Sequence, residues 1–356
     1  MVERSAYLNT GTFGPLPRRA VEAMSAQERS ALERGRAGAE FFENMGRLRE
    51  ELRERLRRLL NAPDDSIALT TSTTDGCNIA VASLDLGPDD EVVTTDVEHP
   101  GLLGALEVSK ATVRVAAVRD RPPGEALSAI EAAIGDRTRL IALSHVAWTT
   151  GAVLPIRELS GRGIPVVVDG AQAAGALPVD VGELGCDFYT VSAQKWLLGP
   201  EGTGCLYVRP ERVEELRIPF PSYLSWDFER GQGGLVPRDG ALRFEPGWIS
   251  TGALAGLLAS LEFAEQAGPE RFARARAMAA RCRELVAERA KVVTAPAQGT
   301  LVSWRVDGDA AALDERLEAR GVIVRSLPGV GWLRASCGFW TDDEDLERLA
   351  SALDAG

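Results

Sequence analysis

Residues 187–210 read DFYTVSAQKWLLGPEGTGCLYVRP: a strand-like apolar run, a lysine, a glycine-rich loop and a second strand-like run. Lys195 stands between Gln194 and Trp196, with no acidic residue within five positions on either side. A lysine among apolar and small neighbours is placed to give up its proton, because a water-poor surrounding penalises the ammonium. Just upstream, PVVVDGAQ (165–172) carries an apolar strand straight into Asp169, with Gln172 three residues on. Polar residues gathered at strand ends are how an open α/β sheet builds its site.

The same rhythm runs outward in both directions. SIALTTS, DEVVTTD, TVRVAAV, TRLIALSH, PVVVDG, DFYTVS and GCLYVR are seven candidate strands, and TDGCNIAVASLDL, PGLLGALEVS and ALSAIEAAIG between them carry apolar residues at helical spacing. The expectation is an α/β fold with a mostly parallel seven-stranded sheet. From Ala253 a long helical pattern opens a smaller α+β C-terminal unit. It continues through TLVSWRV, the helix-like DAAALDERLEARG, the hairpin-like VIVRSLPGVGWLRAS and a last helix, DDEDLERLASAL. The predicted division is 1–252 for an N-terminal arm and large domain, and 253–356 for the small domain. RLREELRERLRRLL (47–60) is most simply the solvated face of an amphipathic helix.

Composition narrows the function. The chain has 356 residues, 45% of them hydrophobic, enough for a large core. Its 52 acidic and 40 basic residues give a formal charge of −12, which argues against a broad basic surface for nucleic acid or anionic lipid. A small substrate is expected instead. The N-terminal MVERSAYLNTG has no apolar core of signal-peptide length, and runs such as IPVVVDGAQAAGALPV fall short of a membrane span. Five scattered cysteines without a CxxC pair fit reduced thiols, not a disulfide framework or a structural zinc. These signs point to a cytoplasmic protein with no membrane or nucleic-acid partner and no metal.

Further strand ends add polar residues. TTSTTDGCN (70–78) puts Thr73 and Thr74 between a strand and a helix, where hydroxyls and free backbone N–H groups suit a phosphate. DVEHPG and ALSHVAWTTG deliver the two histidines of the chain, His99 and His145, just past two more strands. In GVIVRSLPGVGWLRAS (321–336), Arg325 and Arg334 lie equally far from the centre of the turn-forming PGVG. In a simple hairpin they face each other, and like charges directly opposite are destabilising unless an anion sits near them.

Taken in order, AYLNTGTFGPLP, STTDGCNIA, DVEHPG, LSHVAWTTGAVLP, DGAQAAGALPVD, YTVSAQKWLLGPEGTGCLYV and LRASCGFWTDDED resemble the class V family of pyridoxal-phosphate enzymes, most closely its cysteine/cystine C–S lyase branch. The resemblance covers nearly the whole chain and implies fold type I with bound pyridoxal 5'-phosphate. Lys195 then matches the residue that holds the cofactor aldehyde as a Schiff base and, once freed, abstracts the substrate Cα proton. Asp169 matches the carboxylate at the pyridine nitrogen, Gln172 the partner of the ring hydroxyl, and His99 the ring-stacking residue. Thr73, Thr74 and Ser192 match phosphate ligands. Arg334 matches the clamp on the substrate α-carboxylate, which leaves Arg325 for a second, distal carboxylate or for an acidic side chain of its own protein.

Three positions depart from that pattern. Gln194 stands where a phosphate-binding histidine is usual. Trp248, in FEPGWISTG, stands where a threonine usually reaches the phosphate of the neighbouring subunit, with Thr251 or backbone N–H groups left to compensate. Trp148 replaces an asparagine often found near the ring hydroxyl, and Thr149 is the nearest substitute.

The resemblance implies a lyase that takes cysteine, cystine or a related S-substituted amino acid and releases a sulfur product and an aminoacrylate that decays to pyruvate and ammonia. A desulfurase, an aminotransferase and an isopenicillin N epimerase-like enzyme are alternatives on the same scaffold; a non-catalytic sensor or scaffold is the alternative of another class. Desulfurases attack sulfur with a cysteine shortly before the matched arginine. VRSLPGVGWLR contains none, and Cys337 just beyond it is expected to be a buried small residue. The resemblance also implies a homodimer, with SYLSWDFERGQGGLVPRDGALRFEPGWISTG (222–252) reaching across and Trp226 and Trp248 as interface anchors.

Overall fold

The computed structural model describes residues 5–355; the expected domain limits at 1 and 356 lie outside them. After a short strand β1 (Ala6–Tyr7), all seven predicted strands form: β2 (Ile67–Thr70), β3 (Glu91–Thr95), β4 (Thr112–Ala116), β5 (Thr138–Ser144), β6 (Val166–Asp169), β7 (Phe188–Ser192) and β8 (Gly204–Val208). They make one sheet in the order β2-β8-β7-β6-β5-β3-β4, in which only β8 runs against its neighbours. The strands between its edges are near-continuous apolar runs because both faces are covered. Val166 and Val168 enter the core on one face, and Val167 the core on the other. Ile141 and Leu143 alternate with Leu140 and Ala142 in the same way.

With β2, β3, β5, β6 and β7 running in one direction, Thr70, Thr95, Ser144, Asp169 and Ser192 end at one edge of the sheet. That edge is the crevice of the fold.

The chain continues into helices Thr251–Gln266 and Glu270–Ala287, then β9 (Leu301–Arg305), helix Ala310–Ala319, β10 (Val322–Ile323), β11 (Arg325–Leu327), β12 (Trp332–Ser336) and helix Asp343–Asp354. β11, β12 and β9 form an antiparallel sheet over a core that includes Trp304, Leu333 and Leu349. Two segments cross between the cores. β1 pairs in parallel with β10, and Ala6 within it and Leu8 just after it are buried in the C-terminal core, while Leu254, Leu257 and Leu261 pack into the core of the large sheet. We propose the division at residue 252 as one of chain order, with these two segments as its crossings.

The arginine-rich stretch 47–60 lies in helix Ala39–Leu59 and is less solvated than its charge pattern suggests. Leu48, Leu52 and Leu56 are buried, and Arg49 is buried with them. Arg49 and Arg53 both bond Glu245, which also accepts the Leu69 N–H at 3.0 Å. No described helix is long and apolar enough to cross a membrane.

Candidate active site

One wall of the crevice is a helix N-terminus. Ser72 caps helix Thr73–Ser83 by accepting the Asp75 N–H at 3.1 Å, and Ser192 at the end of β7 accepts the Thr73 N–H at 2.7 Å. Thr73 is buried with its hydroxyl unpartnered, whereas Thr74 is exposed beside it. Two aligned hydroxyl positions and the positive end of a helix make an anion cradle.

Lys195 follows Ser192 and Gln194 into a loop closed by the Gly199 N–H on the Ala193 carbonyl at 2.9 Å. Lys195 is half-buried as a residue, with its amine enclosed by protein. Burial pulls its pKa down to about 8, aided by Arg334 and opposed by Asp169. Near neutrality a useful fraction of the amine is therefore free to act as a nucleophile or base. The Gln194 amide oxygen is buried without a donor. Asp169, also buried, accepts the Ala171 N–H at 2.9 Å through one oxygen.

Gln172 is more committed than the sequence suggests. Its amide nitrogen donates to the Gly11 carbonyl at 2.8 Å and its oxygen accepts the Trp196 indole N–H at 3.0 Å. One amide hydrogen is left for any further partner. The contact also reveals the N-terminal arm as a wall of the site. Gly14 donates to the Gln194 carbonyl at 2.7 Å, and a Cβ on Gly14 would fall 2.0 Å from the Lys195 carbonyl oxygen, so only glycine fits. The glycines of NTGTFG were the available signal, since close backbone approach is a common reason for one.

His99 caps helix Pro100–Glu107, its Nδ1 accepting the Gly101 N–H at 3.0 Å. That bond places the ring proton on Nε2. Burial, then Lys195 and Arg334, lower its pKa against the pull of Asp169. Its ring meets the Trp148 ring edge to face, 5.3 Å between centroids. His145 turns away to the buried Tyr189 hydroxyl at 2.9 Å, and burial takes its pKa to about 4. Glu98, beside His99, escaped the sequence reading although it is fully enclosed. It accepts from the Ser144 N–H at 2.8 Å and from the Ser144 and Thr95 hydroxyls, and burial raises its pKa to about 7.

At the far end, β11 and β12 set Arg325 opposite Arg334 in register, as the PGVG turn implied. Arg334 is 2% exposed; it donates to the Trp148 carbonyl at 2.9 Å and to the Thr12 hydroxyl at 3.4 Å, and its Nε is unpartnered. Arg325 is exposed and, among the described residues, neither guanidinium has a carboxylate within ion-pair distance. Burial and Arg325 bring the Arg334 pKa down to about 9, still charged at neutral pH. Thr149 is buried with its hydroxyl unpartnered.

Thr251 is not brought to this group; it starts helix Thr251–Gln266 and lines a groove with Phe41, Phe42 and Trp248. All five cysteines are free and buried, Cys337 among them.

The crevice brings together what a pyridoxal-phosphate enzyme of fold type I uses, and the comparisons with known proteins show that class. The chain belongs to the Aminotransferase class-V family, which it matches over residues 6–349. It is 36% identical over 392 residues to the isopenicillin N epimerase of Streptomyces clavuligerus, covering 98% of this chain and 94% of that one. A probable cysteine desulfurase of Pseudomonas aeruginosa is 32% identical over 343 residues, covering 86% and 82%. Among solved structures, the cystine C–S lyase C-DES in complex with its product cysteine persulfide superposes with a TM-score of 0.94 at 30% identity, covering 98% and 97%.

Proposed function

We propose that this enzyme is a cytoplasmic, homodimeric C–S lyase that acts by β-elimination on cysteine, cystine or a related S-substituted amino acid. The observation that carries the reading is Arg334: a buried cation with only neutral oxygen partners, facing Arg325 across the hairpin and acting on Lys195. A charge kept so deep without a carboxylate is built to receive one. Arg334 takes the substrate α-carboxylate. Arg325 takes a distal one, which cystine has and cysteine lacks.

The residues present fit the cofactor, since the Thr73 and Thr149 hydroxyls are buried without partners and the helix N-terminus supplies further donors. Thr73, Thr74 and Ser192 would hold the phosphate, with Gln194 beside them; Asp169, Gln172, Thr149 and His99 would hold the ring; Thr251 would serve the neighbouring subunit's site. When bound, pyridoxal phosphate supplies an electron sink for the pair left at the substrate Cα. Lys195 Nζ would take the Cα proton, Asp169 would face the pyridine nitrogen and favour its protonated form, and Arg334 would hold the substrate carboxylate. The Cβ–S bond then breaks with its electron pair on sulfur.

The dimer is supported by an aromatic group on segment 222–252: Trp248 is 54% exposed and stacks on Tyr223, itself 64% exposed, at 6.0 Å. Exposed aromatics gathered in this way mark an interface. A fully active monomer in sedimentation at assay concentration rules the dimer out.

A second reading, an epimerase, is favoured by the 36% identity to isopenicillin N epimerase. One experiment separates the readings: the purified holoenzyme is incubated in D2O with a panel of sulfur amino acids. Pyruvate with sulfide or persulfide means lyase, and alanine means desulfurase. Keto-acid exchange means aminotransferase; inverted configuration at Cα, with deuterium incorporated and sulfur retained, means epimerase. In parallel, Lys195→Ala should stay folded yet lose visible absorbance and borohydride fixation of the cofactor to the peptide carrying residue 195. Apoenzyme should take up cofactor faster as pH rises through about 8, because neutral amine accumulates there and not at an ordinary lysine's 10.5.

A further inference from the structure

Trp148 touches both ends of the site through different parts of one residue. Its indole Nε1 donates to the Glu98 carbonyl at 3.1 Å, and its ring meets the His99 ring at 5.3 Å and 80°. Its own carbonyl accepts Arg334 Nη1 at 2.9 Å, the shorter of the two hydrogen bonds that orient this guanidinium. Glu98, which anchors the indole, is itself pinned by Ser144 and Thr95 at the ends of β5 and β3. The indole is thus tied to the rigid sheet, and what the loop around it does next follows from that tie.

We propose that Trp148 is a positioning residue that sets the His99 ring and the Arg334 fork in one arrangement. The inference rests on the reading above that His99 stacks on the cofactor and Arg334 holds the substrate carboxylate. His99 has one other restraint, the Gly101 N–H on Nδ1, which leaves rotation of the ring plane to be stopped by the tryptophan edge. Arg334 has no carboxylate to set its plane, so the Trp148 carbonyl does that. The turn that carries residue 148 is also closed by the Ala147 N–H on the Ala152 carbonyl at 2.9 Å and the Gly151 N–H on the Ala147 carbonyl at 2.8 Å, so loss of the indole N–H loosens the position of the Trp148 carbonyl without freeing it. A planar fork displaced from its bidentate geometry loses affinity for a carboxylate while the charge remains.

The test compares Trp148→Phe, which keeps an aromatic edge and deletes the N–H, with Trp148→Ala, and runs His99→Ala and Arg334→Ala beside them. Each holoenzyme is measured for Tm, for KM and kcat on its best substrate, and for the visible circular dichroism of the bound cofactor. Trp148→Phe should raise KM roughly threefold to tenfold with kcat within about twofold, the worth of one neutral hydrogen bond. Trp148→Ala should also diminish the visible dichroism in the sense that His99→Ala does. A Trp148→Ala enzyme with a lowered Tm but unchanged KM and dichroism, beside control variants that do change, overturns the positioning role and leaves the functional reading standing. If His99→Ala leaves the dichroism intact and Arg334→Ala leaves KM intact, the functional reading fails and takes the positioning role with it.

Discussion

Two arginine-rich places in this molecule handle charge in opposite ways. Around Glu245, the guanidinium groups of Arg49 and Arg53 converge on one carboxylate that is 2% exposed and also accepts a backbone N–H from β2. In the hairpin, Arg334 is buried as deeply, but its partners are a carbonyl and a hydroxyl and its cross-strand neighbour is another arginine. Both places pay desolvation. Only the first recovers it within the chain, by fastening helix Ala39–Leu59 to the sheet. On the proposed reading the second leaves the recovery to a bound carboxylate, a difference that burial alone would not show.

Lys195 sharpens the contrast, since it answers the same burial by a third route. Its amine can lose the proton within reach of neutral pH, so the site gains a base in place of an unpaired charge. Arg334 stays protonated with its pKa near 9. On the proposed reading, one end of the crevice reacts and the other recognises.

The largest effect expected from this comparison is on the paired cluster. Glu245→Ala strands the buried Arg49 and the Leu69 N–H, while Arg53 keeps Glu50, and should cost about 3–5 kcal/mol of stability, the usual loss when one partner of a buried ion pair is removed. Denaturant titration of the variant measures it. A loss under about 1 kcal/mol, in the range of a surface pair, would mean that the cluster is not structural and the contrast is false.

Second in size is Arg334→Ala. It removes the charged contact to the α-carboxylate common to all candidate substrates, so kcat/KM should fall on the order of a hundredfold for every amino acid, about 2.7 kcal/mol. Stability should hold or rise, because a buried cation without a carboxylate leaves with its desolvation cost. A variant that unfolds but turns over normally once stabilised would place Arg334 with the structural arginines.

How much of this was legible beforehand depends on whether the information is local. Six of the seven strands show in the sequence as short apolar runs made continuous by burial on both faces, and the exposed edge strand β4 shows by its alternation of valine with polar residues. Asp169, Ser192 and Lys195 could be named because each sits at or just past such a run. The Arg325–Arg334 register followed from turn symmetry alone. Glu245 and Arg49, 196 residues apart, carry no local sign of each other, and RLREELRERLRRLL was expected to face water for that reason. The arm at Gly11–Gly14 and the Trp148 bridge were missed on the same ground. Thr251 was named as a phosphate contact, and in a single chain it lies in a separate groove with Trp248.

The smallest effect discriminates most finely. Arg325 is exposed and has no carboxylate at ion-pair distance among the described residues, so the alternative that it serves an acidic side chain of its own chain has no partner there. Removing it should relieve repulsion on Arg334 and leave the α-carboxylate contact in place, so kcat for cysteine should barely change. Cystine loses the contact to its distal carboxylate, a charged hydrogen bond worth about 1.5 kcal/mol in a partly wet setting, or roughly tenfold in KM. High salt should shrink the wild-type preference for cystine in the same sense, because an exposed cation is screened where the buried Arg334 is not. Equal KM changes for both substrates in Arg325→Ala, or a cystine preference indifferent to salt, would reduce the hairpin to one binding cation and return Arg325 to the surface.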